Sequence, residues 1–238
     1  MNTQAITTSL KNENITISIT IKKTVLNNIL TNIIIASLFI IGTYFAQFDL
    51  KISSYFFDNG FPLRGKGYVD FFNNYVVDIT IGLFIYCLYK WYLYKKERSN
   101  LINSQKIKFL ATSLLWWGCG FVHIIKAVFG RRRPMQVEYF GGKFNFTEFF
   151  QTSDQCTAGC SFVSGHSACA LWVVALSCVL PQKYRKFCVP LSIFYALFVG
   201  YSRIAGGFHY FSDVYFAYLL PGLGMYFTYN YFIKNKEA

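Results

Sequence analysis

The chain has 238 residues, of which 54% are apolar and 20% aromatic, while only 14% are charged. A soluble domain carries about 25% charged residues, so collagen-like, disordered and coiled-coil chains are excluded and a single soluble domain is disfavoured. The formal charge is +12, from 23 Lys and Arg against 11 Asp and Glu. In so apolar a chain, that excess bears first on which side of a bilayer the cations occupy, and a nucleic-acid partner is not expected.

Residues 1–28 are rich in Thr, Asn, Ser and Ile, with no apolar core region or small-residue cleavage site. They read as a cytoplasmic tail rather than a cleavable signal. Ile15 to Ile21 alternate with Thr and Ser, a period that favours a strand locally, yet no partner strand is in sight. A spanning helix needs roughly 20 mostly apolar residues, and six stretches qualify: 29–48, 71–94, 109–129, 162–180, 188–204 and 211–233. The expected fold is therefore all-α, a polytopic membrane protein with a six-helix bundle over 29–233 and a short tail at 234–238. Lys95-Lys96-Glu97-Arg98 and Lys183-Tyr184-Arg185-Lys186 are short basic loops. The positive-inside rule puts them in the cytoplasm, with both termini.

Cations break the pattern on the other side. Lys126, Arg131, Arg132, Arg133 and Arg203 crowd the outer ends of the third and fifth spans. Snorkelling at helix ends would account for one or two of them. Five, converging with two His and an Asp, point to function, as intramembrane ionisable groups do by default.

Three segments fall at this face: Lys126 to Pro134, Ser161 to His166, and Ser202 to Asp213. Lys126, Arg133 and Arg203 are cations suited to phosphate oxygens. Ser164 and Gly165 open a helix, where free amides and the positive dipole end can face an anion. His209 and Asp213 are four apart and share a helix face. Asp213 can then hold one imidazole nitrogen and leave the other as a nucleophile. His166 is a second imidazole, suited to protonating a leaving oxygen. Metal binding is the rival for two His and an Asp, but the surrounding cations would repel a dication, and two-metal phosphatases need more carboxylates and His.

The spacing Lys-x6-Arg-Pro, then Ser-Gly-His, then Ser-Arg-x5-His-x3-Asp resembles the type 2 phosphatidic acid phosphatase superfamily. The resemblance covers roughly residues 126–213 and departs where Val163 replaces the usual Pro. It implies that His209 attacks phosphorus to form a phosphohistidine, that Asp213 orients it, and that His166 protonates the departing oxygen and later activates water. It also implies that Lys126, Arg133, Arg203, Ser164 and the Gly165 amide hold the phosphate, with no metal and no cofactor. Arg131 and Arg132 fall in the motif's variable stretch and are substrate-contact candidates at most.

Residues 134–161 form a long loop between two motifs, read as a periplasmic lid or substrate collar. Cys156 and Cys160 lie four apart in it and are candidates for a disulfide, with two free thiols as the alternative. Tyr139 to Phe146, followed by Ser153 to His166, looks like the subgroup of bacterial lipid A phosphatases. That subgroup acts at the outer leaflet of the inner membrane. The expectation is thus a lipid phosphatase whose partner is a lipid in the bilayer, with removal of the 1-phosphate favoured over the 4′. Undecaprenyl pyrophosphate or phosphatidylglycerol phosphate hydrolysis, lipid phosphotransfer, and anion transport are the alternatives. The nucleophile pair His209 and Asp213 argues against transport, since a permeation path needs cations but no nucleophile. His123 reads as a packed or hydrogen-bonded helix residue. Asp49 and Asp78 are intramembrane acids, and Asp78 is a possible partner for a motif cation.

Overall fold

The computed structural model describes residues 31–234. It divides into two units, Met1–Ile41 and Gly42–Ala238. The described part of the first is helical and exposes Ile33, Ile34, Leu38, Ile40 and Ile41. It belongs to helix α1, Thr31–Ala46, which runs across the boundary. The expected strand-like alternation at 15–21, the N-terminal tail and residues 235–238 lie outside the described residues.

The second unit continues with α2 (Asp49–Ser54) and α3 (Gly67–Lys95). Helix α4 (Ser104–Thr112) runs through a π-helical stretch, Ser113–Gly120, into α5 (Phe121–Phe129). Two single 3-10 turns, Pro134–Gln136 and Glu138–Phe140, follow. Helices α6 (Gly165–Cys178), α7 (Gln182–Ala205) and α8 (Phe211–Phe232) complete it. The described residues contain no strand beyond an isolated bridge between Val137 and Phe144.

Three apolar runs are long enough to cross a membrane: Gly67–Lys95, Ser104–Gln136 and Gln182–Ala205. Thr31–Ala46 and Gly165–Cys178 are shorter apolar helices. The expected second and fifth spans begin earlier than hydropathy alone suggests, because α3 and α7 carry polar residues in their first turns. The fourth begins later, at Gly165, because Ser164 caps it. Large apolar side chains point outward along these helices, among them Ile81, Ile85, Leu115, Phe187, Leu191, Phe194 and Phe227. Such a surface suits lipid rather than water.

Local chemistry sets the helix ends. The Asn103 side chain accepts from the amides of Gln105 (3.1 Å) and Lys106 (2.9 Å), satisfying two donors that open α4. Gly130 ends α5 at φ +52, and a Cβ there would collide with the Ser153 carbonyl, so only glycine lets the chain turn at this point. Where the helix widens into its π stretch, Trp172 Nε1 donates to the Leu110 carbonyl at 2.9 Å. Trp172 is wholly buried with Phe109, Leu110, Leu114, Leu176 and Met225 in the larger core.

Helix α6 packs against α3, α7, α8 and the π stretch, so it lies centrally. The segments that follow α5 and α7 meet at its N-terminal end. Ser161 donates its amide to the Arg131 carbonyl (2.7 Å), Ser164 to Asp213 (3.0 Å) and Met135 to Gly207 (3.2 Å). These backbone bonds lock the three chemistry-bearing segments together.

Candidate active site

His209 follows the turn at Gly206 and Gly207, and its amide donates to the Arg203 carbonyl at 3.1 Å. The residue is 1% exposed. Its Nδ1 lies 3.3 Å from Ser161 Oγ and 3.6 Å from Asp213 Oδ2. Ser161 Oγ donates to Asp213 Oδ2 at 2.5 Å, so it can accept only from an Nδ1–H. The proton is thereby held on Nδ1, and Nε2 is left with its lone pair. Burial, opposed by Asp213 and reinforced by the charges of Lys126 and Arg203, holds this imidazole well below its usual pKa. At neutral pH it is uncharged, with the chemistry a nucleophile would need.

Asp213 was expected to orient His209 directly. The structure interposes a hydroxyl, since Ser161 bridges the two more closely than they approach each other. Asp213 Oδ2 also accepts the Tyr210 amide at 2.8 Å, tying the carboxylate to the first turn of α8. Ser161 opens the second motif segment, and a serine before an apolar pair carries no local signal of such a bridge.

His166, in the first turn of α6, places Nε2 3.0 Å from the Asn73 carbonyl. A carbonyl can only accept, so Nε2 carries a proton and Nδ1 is the nitrogen that titrates. The Asn73 side chain accepts from Arg203 Nη1 at 2.6 Å. One residue of α3 therefore holds both an imidazole and a phosphate-type cation. No motif contains Asn73, and only the packing of α3 on α6 and α7 reveals it.

Lys126 Nζ donates to the carbonyls of Cys160 and Ser161, the latter at 3.2 Å. Arg133 Nε donates to the Gly159 carbonyl at 3.0 Å. Cys156 and Cys160 are disulfide-bonded, with Cα atoms 5.7 Å apart, so the small ring they close supplies acceptors for two of the cations. Ser164 caps α6: its Oγ accepts from the Ser167 amide (3.4 Å) and hydroxyl (2.9 Å). The amides that open α6, Gly165 among them, have no preceding turn to pair with and remain suited to an anion.

The two variable-stretch arginines part company. Arg131 is 1% exposed and committed to Asp49, Asp213, Ser212 and Thr147, so the expectation that it contacts substrate is corrected: a guanidinium surrounded by buried acceptors has no face left to offer. Arg132 stacks over Phe144, 3.7 Å from the ring centre. His123 Nδ1 lies 2.8 Å from the Cys119 carbonyl, a within-helix bond. Asp78 faces outward, and the Asp–Arg pairs among the described residues use Asp49 and Asp213 instead.

Aromatic side chains of the 134–161 segment pack against the helices and the loop before α3. Phe140 meets Phe57 and Phe61, while Phe150 meets Phe129, Phe162 and Phe216. Two cavities of about 490 Å³ open between the helices, one along α6 and α8, the other among α3, α6 and α7. Neither is lined by a residue of the three motifs. Among the described residues, no three His, Cys, Asp or Glu side chains gather as a metal site requires.

Three bacterial proteins share sequence with this chain. A Lipid A 4'-phosphatase of Rhizobium etli is 32% identical over 65% of this chain and 62% of its own length. One of Rhizobium leguminosarum is 31% identical over 67% of this chain and 70% of its own. One of Francisella tularensis subsp. novicida is 33% identical over 57% and 63%. The chain thus spans about two thirds of the length of these curated relatives. No solved structure matches. The model of the PAP2 superfamily matches residues 105–237, more than half of the chain and all three motif segments; the chain belongs to the PAP2 superfamily.

Proposed function

We propose that the protein is a lipid phosphatase that removes a phosphate from lipid A through a phosphohistidine, acting at the periplasmic face of the bacterial inner membrane without a metal. The observation that carries this reading is the buried His209 imidazole, whose Nδ1 faces Ser161 Oγ and Asp213, which leaves the Nε2 lone pair to react, within the field of Lys126 and Arg203. The names of the relatives support lipid A and the 4′-phosphate. The sequence-based preference for the 1-phosphate has no comparable support, and the 4′-position replaces it here.

In this reading Lys126, Arg133 and Arg203 exchange some carbonyl contacts for phosphate oxygens, assisted by the Gly165 amide at the α6 terminus. Ser164 serves as the helix cap that aims that amide. The Nε2 lone pair of His209 forms the N–P bond as the P–O bond to the sugar breaks. The negative charge of the bound phosphate favours protonated His166, and the departing oxygen takes that proton from its Nδ1. His166 then accepts a proton from water, whose oxygen attacks phosphorus as the N–P bond breaks. Inorganic phosphate leaves, and both imidazoles return to their starting states. Such chemistry asks mainly for positioning and charge neutralisation, which this end of the molecule offers.

The test follows phosphate release from lipid A carrying only a 1- or only a 4′-phosphate, in detergent with EDTA. Undecaprenyl pyrophosphate and phosphatidylglycerol phosphate run in parallel. Release from the 4′-substrate is expected, unaffected by EDTA and lost in His209→Ala. Preference for another lipid would overturn the substrate, loss with EDTA the metal-free chemistry, and a fully active His209→Ala the nucleophile.

A further inference from the structure

Asp49 lies at the start of α2, outside the matched family region and 1% exposed. Its Oδ2 accepts from Arg131 Nη2 at 2.9 Å and from the Ser212 hydroxyl, and its Oδ1 accepts the Ser212 amide at 2.9 Å. Arg131 in turn donates from Nη1 to Asp213 Oδ1 (2.8 Å) and Ser212 Oγ (2.8 Å), and from Nε to the Thr147 carbonyl (2.7 Å). A continuous buried path therefore runs Asp49, Arg131, Asp213, Ser161, His209.

The charges along this path decide what it does. Arg131 between two carboxylates leaves a net charge of −1 beside the imidazole. Without Asp49, the single positive charge of Arg131 would cancel that of Asp213, and His209 would face a neutral pair. In a buried setting such a difference is poorly screened. The Asp49 carboxylate accepts from the Arg131 guanidinium and from both the amide and the hydroxyl of Ser212, the donor set of an ionised acid.

We propose that Asp49 is a positioning residue for the His209 nucleophile: it engages Arg131 so that Asp213 keeps an uncancelled negative charge for the imidazole. This inference rests on the reading of His209 as nucleophile given above. The competing role is purely structural, the join of α2 to the first turn of α8 through Ser212. Asp49→Asn is nearly isosteric and retains an acceptor for the Ser212 amide, so it addresses charge more than shape.

The experiment compares wild type, Asp49→Asn and Asp49→Asn with Arg131→Gln, each checked for a monodisperse detergent elution profile. Asp49→Asn should lower kcat about 10- to 100-fold with KM little changed, the range expected for the loss of one hydrogen bond between charged groups. The double variant removes the cation that Asp49 had countered and restores the net −1. It should recover at least about fivefold over the single variant, by the non-additivity expected of coupled groups. A structural role predicts no recovery, and that outcome overturns the proposal.

A second readout does not depend on turnover. The chain has three His, so ¹⁵N imidazole signals can be assigned with His→Gln variants. Wild-type His209 should carry its proton on Nδ1, and Asp49→Asn should populate the Nε2–H tautomer. An unchanged tautomer in folded Asp49→Asn overturns the proposal even where the double variant does not fold. If wild type hydrolyses no lipid yet the tautomer shifts as stated, the phosphatase reading fails and the network stands.

Discussion

Asn73 shows how one residue outside any motif can govern two that lie inside. Its side-chain oxygen meets Arg203 at 2.6 Å while its carbonyl meets His166 at 3.0 Å. Asn73→Ala removes the first contact and retains the second. A hydrogen bond to a charged group contributes about 1.5–3 kcal/mol, so kcat/KM for phosphate release should fall roughly 10- to 100-fold. The dependence of rate on leaving-group pKa should stay unchanged, because His166 keeps its orientation. A steeper dependence would show that Asn73 acts on the acid instead. Motif spacing made His166, His209, Asp213 and Arg203 legible, because each needs a fixed offset from a neighbour on the same segment. Asn73, Ser161 and Asp49 were not legible as site residues: their partners are 93, 48 and 82 positions away, and no periodicity encodes such contacts.

At the scale of elements, the 134–161 segment was expected to be a lid or collar. Its aromatic side chains pack into the bundle end, and its disulfide ring presents the carbonyls of Gly159 and Cys160 to Arg133 and Lys126. Opening that ring frees the carbonyls to move. Cys156→Ala with Cys160→Ala should reduce hydrolysis about tenfold for lipid and for a short soluble phosphate ester alike, equivalent to about 1.4 kcal/mol. A lid would instead penalise the lipid alone, so unequal losses would favour the lid. The helices were legible where hydropathy is continuous. The π stretch was not, since Ser113–Gly120 has an ordinary apolar composition. Its widened turn is accommodated by Trp172, which reaches Leu110 from a helix 62 residues further on.

For the whole molecule, three helices among the described residues are long and apolar enough to cross a membrane, and we propose from the basic loops around 95–98 and 183–186 that those loops lie in the cytoplasm and the His209 end in the periplasm. Glu97 and Lys143 are both exposed and lie on opposite sides in that arrangement. In spheroplasts, a membrane-impermeant maleimide should label Lys143→Cys directly and Glu97→Cys only after permeabilisation. The reverse pattern would invert the orientation and move the chemistry to the other leaflet.

The sequence by itself determined the class of molecule, its helical character and the three segments that carry chemistry. Composition, apolar run length and i,i+4 spacing are local quantities, and a single chain displays them without folding. The tertiary structure decided which cation serves which purpose. Arg131 and Arg133 are two residues apart and alike in chemistry, yet the left-handed turn at Gly130 sends Arg131 between two buried carboxylates and leaves Arg133 beside the disulfide ring. Burial and the partners within reach set the role of a charge, and both are properties of the packed chain.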